Sequence, residues 1–200
     1  MGYTYSNTSA TTAAVANRFV TLANMKVTSN YTIANASPVW SGGCLVTLTH
    51  ATVAAGTDEL GTVLITGTNL AGQTITETLT PSADATVTGS QIFRTVTIAR
   101  GSGWIIAGGN DTITIGCAAG NYAAGSNGSL GGVLVNNSVA AAIVVSDAKG
   151  TIMTVPASQA AGTYYDLDGV DFAGWLKVAT TNTNDVTVFH TGTLPTFATA

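Results

Sequence analysis

Apolar residues along this chain come in short runs or in strict alternation with polar ones, and long stretches of helical period are missing. From residue 130 onward the apolar and β-branched runs are 130–135, 143–147, 150–155, 163–167, 175–179 and 185–189. Gly, Pro, Asn or Asp separates each from the next at about ten-residue spacing, as in an all-β sandwich or barrel. Residues 39–116 repeat the pattern, with strands expected at 44–50, 61–66, 74–80, 91–99, 104–107 and 112–116. Residues 74–80 are the clearest case: threonines take one face while Ile75 and Leu79 share the other with Glu77. Residues 67–72, rich in Gly and Asn, read as a hairpin loop.

The first 38 residues differ. Ser, Thr and Asn dominate as far as Thr12, and Val15, Phe19 and Leu22 then fall at helical spacing. Two readings stand, a short helix or an extended arm. In the second, Tyr3, Tyr5 and Phe19 are the candidate partner-binding residues, with Tyr31 a further aromatic anchor. Gly, Ala, Ser and Asn crowd residues 118–129, which read as a linker.

Composition narrows the function. Only 8% of the 200 residues are charged, against roughly 25% in an ordinary soluble domain, while 46% are hydrophobic. Mean hydropathy is +0.35, yet no apolar run approaches the ~18–20 residues of a membrane-spanning helix. Scarce charge weakens the self-repulsion that keeps proteins apart, so homo-oligomeric assembly, with a trimer first, is expected. Net charge is −4, and the six basic residues are scattered singly. Nucleic-acid binding, which needs several cations along one face, is not expected. The first residues carry no positive segment followed by an apolar one, so synthesis in the cytoplasm is expected. Cys44 and Cys117 then read as buried free thiols, with a disulfide between them the less favoured alternative.

A resemblance sharpens this picture. The Gly131-Gly132-Val133 strand opening, the Asn137-Ser138 turn and Asp147-Ala148-Lys149-Gly150-Thr151-Ile152 come first, followed by Gly162-Thr163-Tyr164-Tyr165-Asp166. Gly174-Trp175-Leu176-Lys177-Val178 and Asn184-Asp185-Val186-Thr187-Val188 complete the pattern. Together they resemble a β-module found at the C-terminal end of virion structural proteins of tailed bacteriophages. Residues 61–80 with 89–96 resemble immunoglobulin-like modules of phage virion proteins. The resemblance implies a head decoration protein, a head fibre or another accessory virion part that binds by packing. The expected fold is therefore all-β, with two small antiparallel β-sandwich or barrel modules behind an N-terminal arm or short helix. Its divisions are an arm at 1–38, an immunoglobulin-like sandwich at 39–117, a linker at 118–129 and a C-terminal module at 130–200.

Candidate chemistry is sparse. Asp166, Asp168 and Asp171 form the densest acidic cluster, and three carboxylates around a Gly turn could hold Ca²⁺ through oxygen. The twelfth position of an EF-hand would be Lys177, however, so a solvated acidic turn between strands is the favoured reading. His50 and His190 end strand-like runs and fit no metal-ligand spacing. No nucleophile elbow, phosphate loop or zinc-protease motif occurs, and Asp58, Glu59 and Glu77 give little support to glycoside cleavage. No cofactor is expected, and no enzyme.

The expectation is thus a non-enzymatic capsid decoration (cement) protein on the virion surface, stabilising the head by binding the major capsid protein. Within that class a head fibre, a tail-tube component or a head–tail joining protein is the alternative. From another class, Trp40, Trp104 and Trp175 would serve a carbohydrate-binding adhesin or receptor-binding module.

Overall fold

In a computed structural model the described residues are 4–9, 14–38, 43–53, 58–69, 72–106, 108–119, 121–124, 127–179 and 184–191. Among them lie fifteen strands and no helix. The first eight are β1 (Thr4–Ser9), β2 (Val15–Asn24), β3 (Cys44–Ala51), β4 (Thr62–Thr68), β5 (Thr74–Leu79), β6 (Thr86–Phe93), β7 (Thr95–Ser102) and β8 (Thr112–Cys117). Then follow β9 (Asn121–Ala124), β10 (Gly128–Val135), β11 (Ile143–Asp147), β12 (Gly150–Val155), β13 (Tyr164–Phe172), β14 (Trp175–Ala179) and β15 (Asp185–His190). Every named pairing is antiparallel.

The chain divides into two compact units. One comprises residues 14–39 and 43–118, the other residues 1–13, 40–42 and 119–200. The first unit holds the sheets β2-β8-β3-β6 and β5-β4-β7, and the second holds β1-β15-β10-β13 and β12-β11-β14-β9. In the second, a single buried cluster draws on both sheets: Val133, Phe172 and Val188 from one, Val145, Leu176 and Val178 from the other. Pleat alternation explains the supply, since residues two apart on each strand face the same side.

Four boundaries differ from expectation. Residues 15–24 form β2 rather than a helix. Val15 faces Cys117 and Val20 faces Ile115, so five steps along β2 match two along β8. The helix-like spacing of Val15, Phe19 and Leu22 comes from this irregularity, which leaves Phe19 buried and Leu22 66% exposed. Gly116 makes it possible, because a Cβ there would run into the backbone of Val15 and Ala16. Residues 118–129 are no mere linker, for they carry β9 against β14 and the start of β10. The run 91–99 is broken at Arg94 into β6 and β7, which belong to different sheets. Residues 104–106 form no strand, only an isolated bridge from Ile105 to Glu59.

Glu77 shows how the first unit handles its irregularities. Leu45 faces Ile92 and Thr47 faces Thr88, so residues 89–91 of β6 bulge opposite Val46 alone. Bulged residues lose their ladder partners. From β5 in the other sheet, Glu77 Oε1 accepts the N–H groups of Ser90 (2.5 Å) and Gln91 (3.3 Å) and the Ser90 hydroxyl (3.0 Å). Any side chain at Gly89 would collide with that carboxylate. Glu77→Ala leaves these donors without their acceptor and should cost about 1–2 kcal/mol. Urea unfolding should then show a lower midpoint with an unchanged slope, whereas an unshifted midpoint would mean that water replaces the carboxylate without loss.

Candidate functional sites

The acidic cluster is a strand, not a turn. β13 runs through Asp166, Asp168 and Asp171, all of them exposed. Leu130 faces Val170 and Gly132 faces Asp166, so residues 167–169 oppose Gly131 alone. The excess is absorbed at Asp168 and Gly169, with φ of +45° and +78°. Asp166 Oδ1 accepts the Asp168 N–H at 3.0 Å, while Asp171 Oδ1 accepts the Ser129 hydroxyl at 3.1 Å. The carboxylates thus serve separate local partners. Among the described residues no three His, Cys, Asp or Glu side chains gather around a metal-sized space. Lys177, the residue at the twelfth position, lies on β14, and burial holds its ammonium below the ordinary lysine value. Millimolar Ca²⁺ followed by EDTA should leave the thermal midpoint unmoved, whereas a reversible rise of several degrees would reveal a site for the ion.

The sequence did not suggest the pairing of His50 with Asp111. His50 closes the inner run of β3, and Asp111 immediately precedes β8, the neighbouring strand. His50 Nε2 lies 3.2 Å from Asp111 Oδ2, with both side chains fully buried. Nδ1 accepts the Asp84 N–H at 3.3 Å, which assigns the ring proton to Nε2 and makes it the donor to the carboxylate. Asp111 Oδ1 accepts the Val53 N–H at 2.9 Å. Asp84 in turn accepts the Thr52 N–H at 2.7 Å, and that bond holds its carboxyl below the ordinary value. An Asp–His pair can activate a nucleophile only if the second ring nitrogen is open to it. Here both nitrogens are engaged by the chain itself, so the imidazole ties β3 and β8 to the 81–85 turn.

The remaining candidates are dispersed. Phe19 is fully buried in the first unit, which corrects its assignment to a partner surface. Tyr31 is buried there too; its hydroxyl donates to Met25 O at 3.1 Å, and burial pushes its phenol up to about 12. Tyr3 lies outside the described residues, and Tyr5 takes its place in β1 opposite Phe189. Trp40 also lies outside the described residues, and Trp104 and Trp175 are each half-buried in their own unit. A groove of about 340 Å³ in the second unit is lined by Asn127, Ser129, Lys149, Asp171 and Phe172. Asn127 Oδ1 already accepts the Gly174 N–H (3.1 Å), so this groove's polar groups largely serve the fold.

The most distinctive surface is the outer face of β5-β4-β7. In register across the three strands lie Thr78, Leu64 and Arg100, then Thr76, Thr66 and Ile98. Leu64 is 42% exposed and Ile98 38%. The result is a patch of hydroxyl and aliphatic groups with one cation. Sequence alternation revealed the threonines of β5, but only the pairing shows that Leu64 and Ile98 stand beside them.

His190, buried in β15 between Leu130 and Thr4, has its imidazole held below the ordinary value of 6.5 by burial, with a hydrogen bond to the Thr191 backbone acting the other way. The fold therefore prefers the neutral ring. Its contribution is complete above about pH 6.5 and is lost as pH falls through the lowered folded value. The thermal midpoint should drop between about pH 7.5 and pH 5, and His190→Gln should flatten that drop; an equal drop in the variant would clear His190 of responsibility.

No known protein family, curated protein or solved structure matches the chain.

Proposed function

We propose that this chain is a non-enzymatic structural protein of a tailed-phage virion, most specifically a capsid decoration protein that binds the major capsid protein as a homo-oligomer. Each unit is read as a β-sandwich, because in the second unit two sheets feed a single core. Support for a packing role comes from the outer face of β5-β4-β7, where Leu64 and Ile98 are exposed among threonine hydroxyls. Hydroxyls and methyl groups lose little on leaving water when a partner supplies hydrogen bonds and contact, whereas charged groups lose much. Such a face suits a wide, weakly charged contact repeated over a capsid surface. A packing role also fits the engagement of several well-placed polar groups by the chain's own backbone.

Co-sedimentation with capsids lacking the protein tests this reading. Wild type should pellet with them, and Leu64→Asp combined with Ile98→Asp should weaken binding at least about tenfold, because carboxylates would be desolvated at the contact. The thermal midpoint should barely change, as both positions face solvent. Full binding by the double variant would remove this face from the contact, and failure of wild type to bind any capsid would overturn the decoration role.

A further inference from the structure

The chain's two cysteines lie far apart in sequence, yet the first unit brings them together. Cys44 opens β3 and Cys117 closes β8, neighbouring antiparallel strands of one sheet. Val46 faces Cys117, and the Ala118 N–H donates to Leu45 O at 2.9 Å, which extends the ladder beyond the last strand residue. Cys44 and Val46 are two residues apart and share a face, so the two thiols are diagonal neighbours on the same side of the sheet. Both are free and fully buried. Cys44 faces Phe93 on its other flank, and Cys117 faces Val15. Both sit at strand ends, and Gly43, with φ of +72°, immediately precedes Cys44. Backbone adjustment is easiest at such ends, and a diagonal pair needs a little of it to reach disulfide geometry.

We infer that Cys44 and Cys117 form a latent disulfide site whose state is set while the first unit folds and is then sealed by burial. The reaction is thiol–disulfide exchange with a small-molecule disulfide such as glutathione disulfide. One cysteine thiolate attacks a sulfur of the oxidant and releases one glutathione. The second thiolate then displaces the other glutathione from the mixed disulfide. The protein loses two thiol hydrogens, and one oxidant disulfide becomes two thiols. Neither attack is open to the folded chain. Burial, and after it the adjoining Cys117 thiol, push the Cys44 thiol well above its ordinary value, and the mixed disulfide has no room among Phe93, Val15 and Val46. Exchange therefore needs the strands apart. A chain folded in a reducing compartment keeps its dithiol after release into oxidising surroundings, and one folded under oxidising conditions carries the cross-link.

The test compares the same protein oxidised before and after folding. Natively folded, reduced protein is held with excess glutathione disulfide, and a second sample is refolded from urea in the same mixture. The native sample should keep both thiols for hours. The refolded one should become lighter by two hydrogens, yield a Cys44–Cys117 linked peptide, and melt about 5–10 °C higher, as expected for a cross-link closing a loop of about 70 residues. Cys117→Ser should gain neither linkage nor stability. If urea refolding fails, the same measurements apply to protein produced in a reducing and in an oxidising compartment. Free thiols or glutathione adducts alone after oxidative folding would overturn the site, as would a linked protein that melts lower. Oxidation of the native protein as fast as of the unfolded chain would overturn the seal.

Discussion

Wherever a strand of this protein slips register, backbone N–H groups come free of the ladder, and each must find an acceptor. That requirement organises both units. A buried or half-buried amide without a partner costs about as much as a lost hydrogen bond, and in six of the strand pairings a residue is skipped or several are gathered. At two of these slips an acid meets the need: Glu77 takes the bulge of β6 and Asp166 the bulge of β13. Acids also serve turns and loops, where Asp147 holds the Lys149, Gly150 and Ala173 N–H groups at 2.8, 3.1 and 2.9 Å. Asp84 and Asp111 do the same for Thr52 and Val53. At least five of the ten acids are thus committed to the chain's own backbone, which leaves few carboxylates for a ligand.

Amides extend the same logic in the second unit. Asn184 is fully buried, accepting the Ala140 N–H and donating to Ala141 O, while Asn137 accepts the Asp185 N–H. Asn136 bonds both Asp185 and Thr187. These neutral side chains stitch the loop after β10 to β15 without ion pairs. The close pairing of His50 with Asp111 is internal. Low charge is therefore no accident of the surface alone. The interior is held by polar groups that need no counter-ion, and the exterior presents threonine.

Most of the β architecture was legible in the sequence because a half-buried strand writes its pleat directly into the residue order. The alternation at 74–79 and the turn around 148–149 are examples; Asp147 and Gly150 pair at either end of a two-residue hairpin. What escaped was any feature whose pattern is distorted by a bulge. β2 imitates a helix because its extra residues shift the apolar positions from a spacing of two to three or four. The acidic stretch of β13 looked like a turn because Asp168-Gly169 does take turn-like dihedrals, though within a strand. The His50–Asp111 pair left no local mark, since partners 61 residues apart meet only when β3 and β8 align. The Leu64 and Ile98 patch was hidden for the same reason, being a product of register between strands.

The pairing of β1 with β15, from Thr4 opposite His190 to Ser9 opposite Asp185, has a consequence for how the protein is made. Of the described strands β1 comes first along the chain and its partner β15 last, so β1 leaves the ribosome well before β15. The second unit cannot complete that sheet until β15 has been synthesised, so β1 waits until then with that hydrogen-bonding edge bare. Such a strand is an invitation to pair with the wrong neighbour. Its composition, Thr-Tyr-Ser-Asn-Thr-Ser, has little apolar surface to reward a premature match. Closure over so long a sequence separation is also slow, which makes the joining of β1 to β15 a late step in the folding of the second unit.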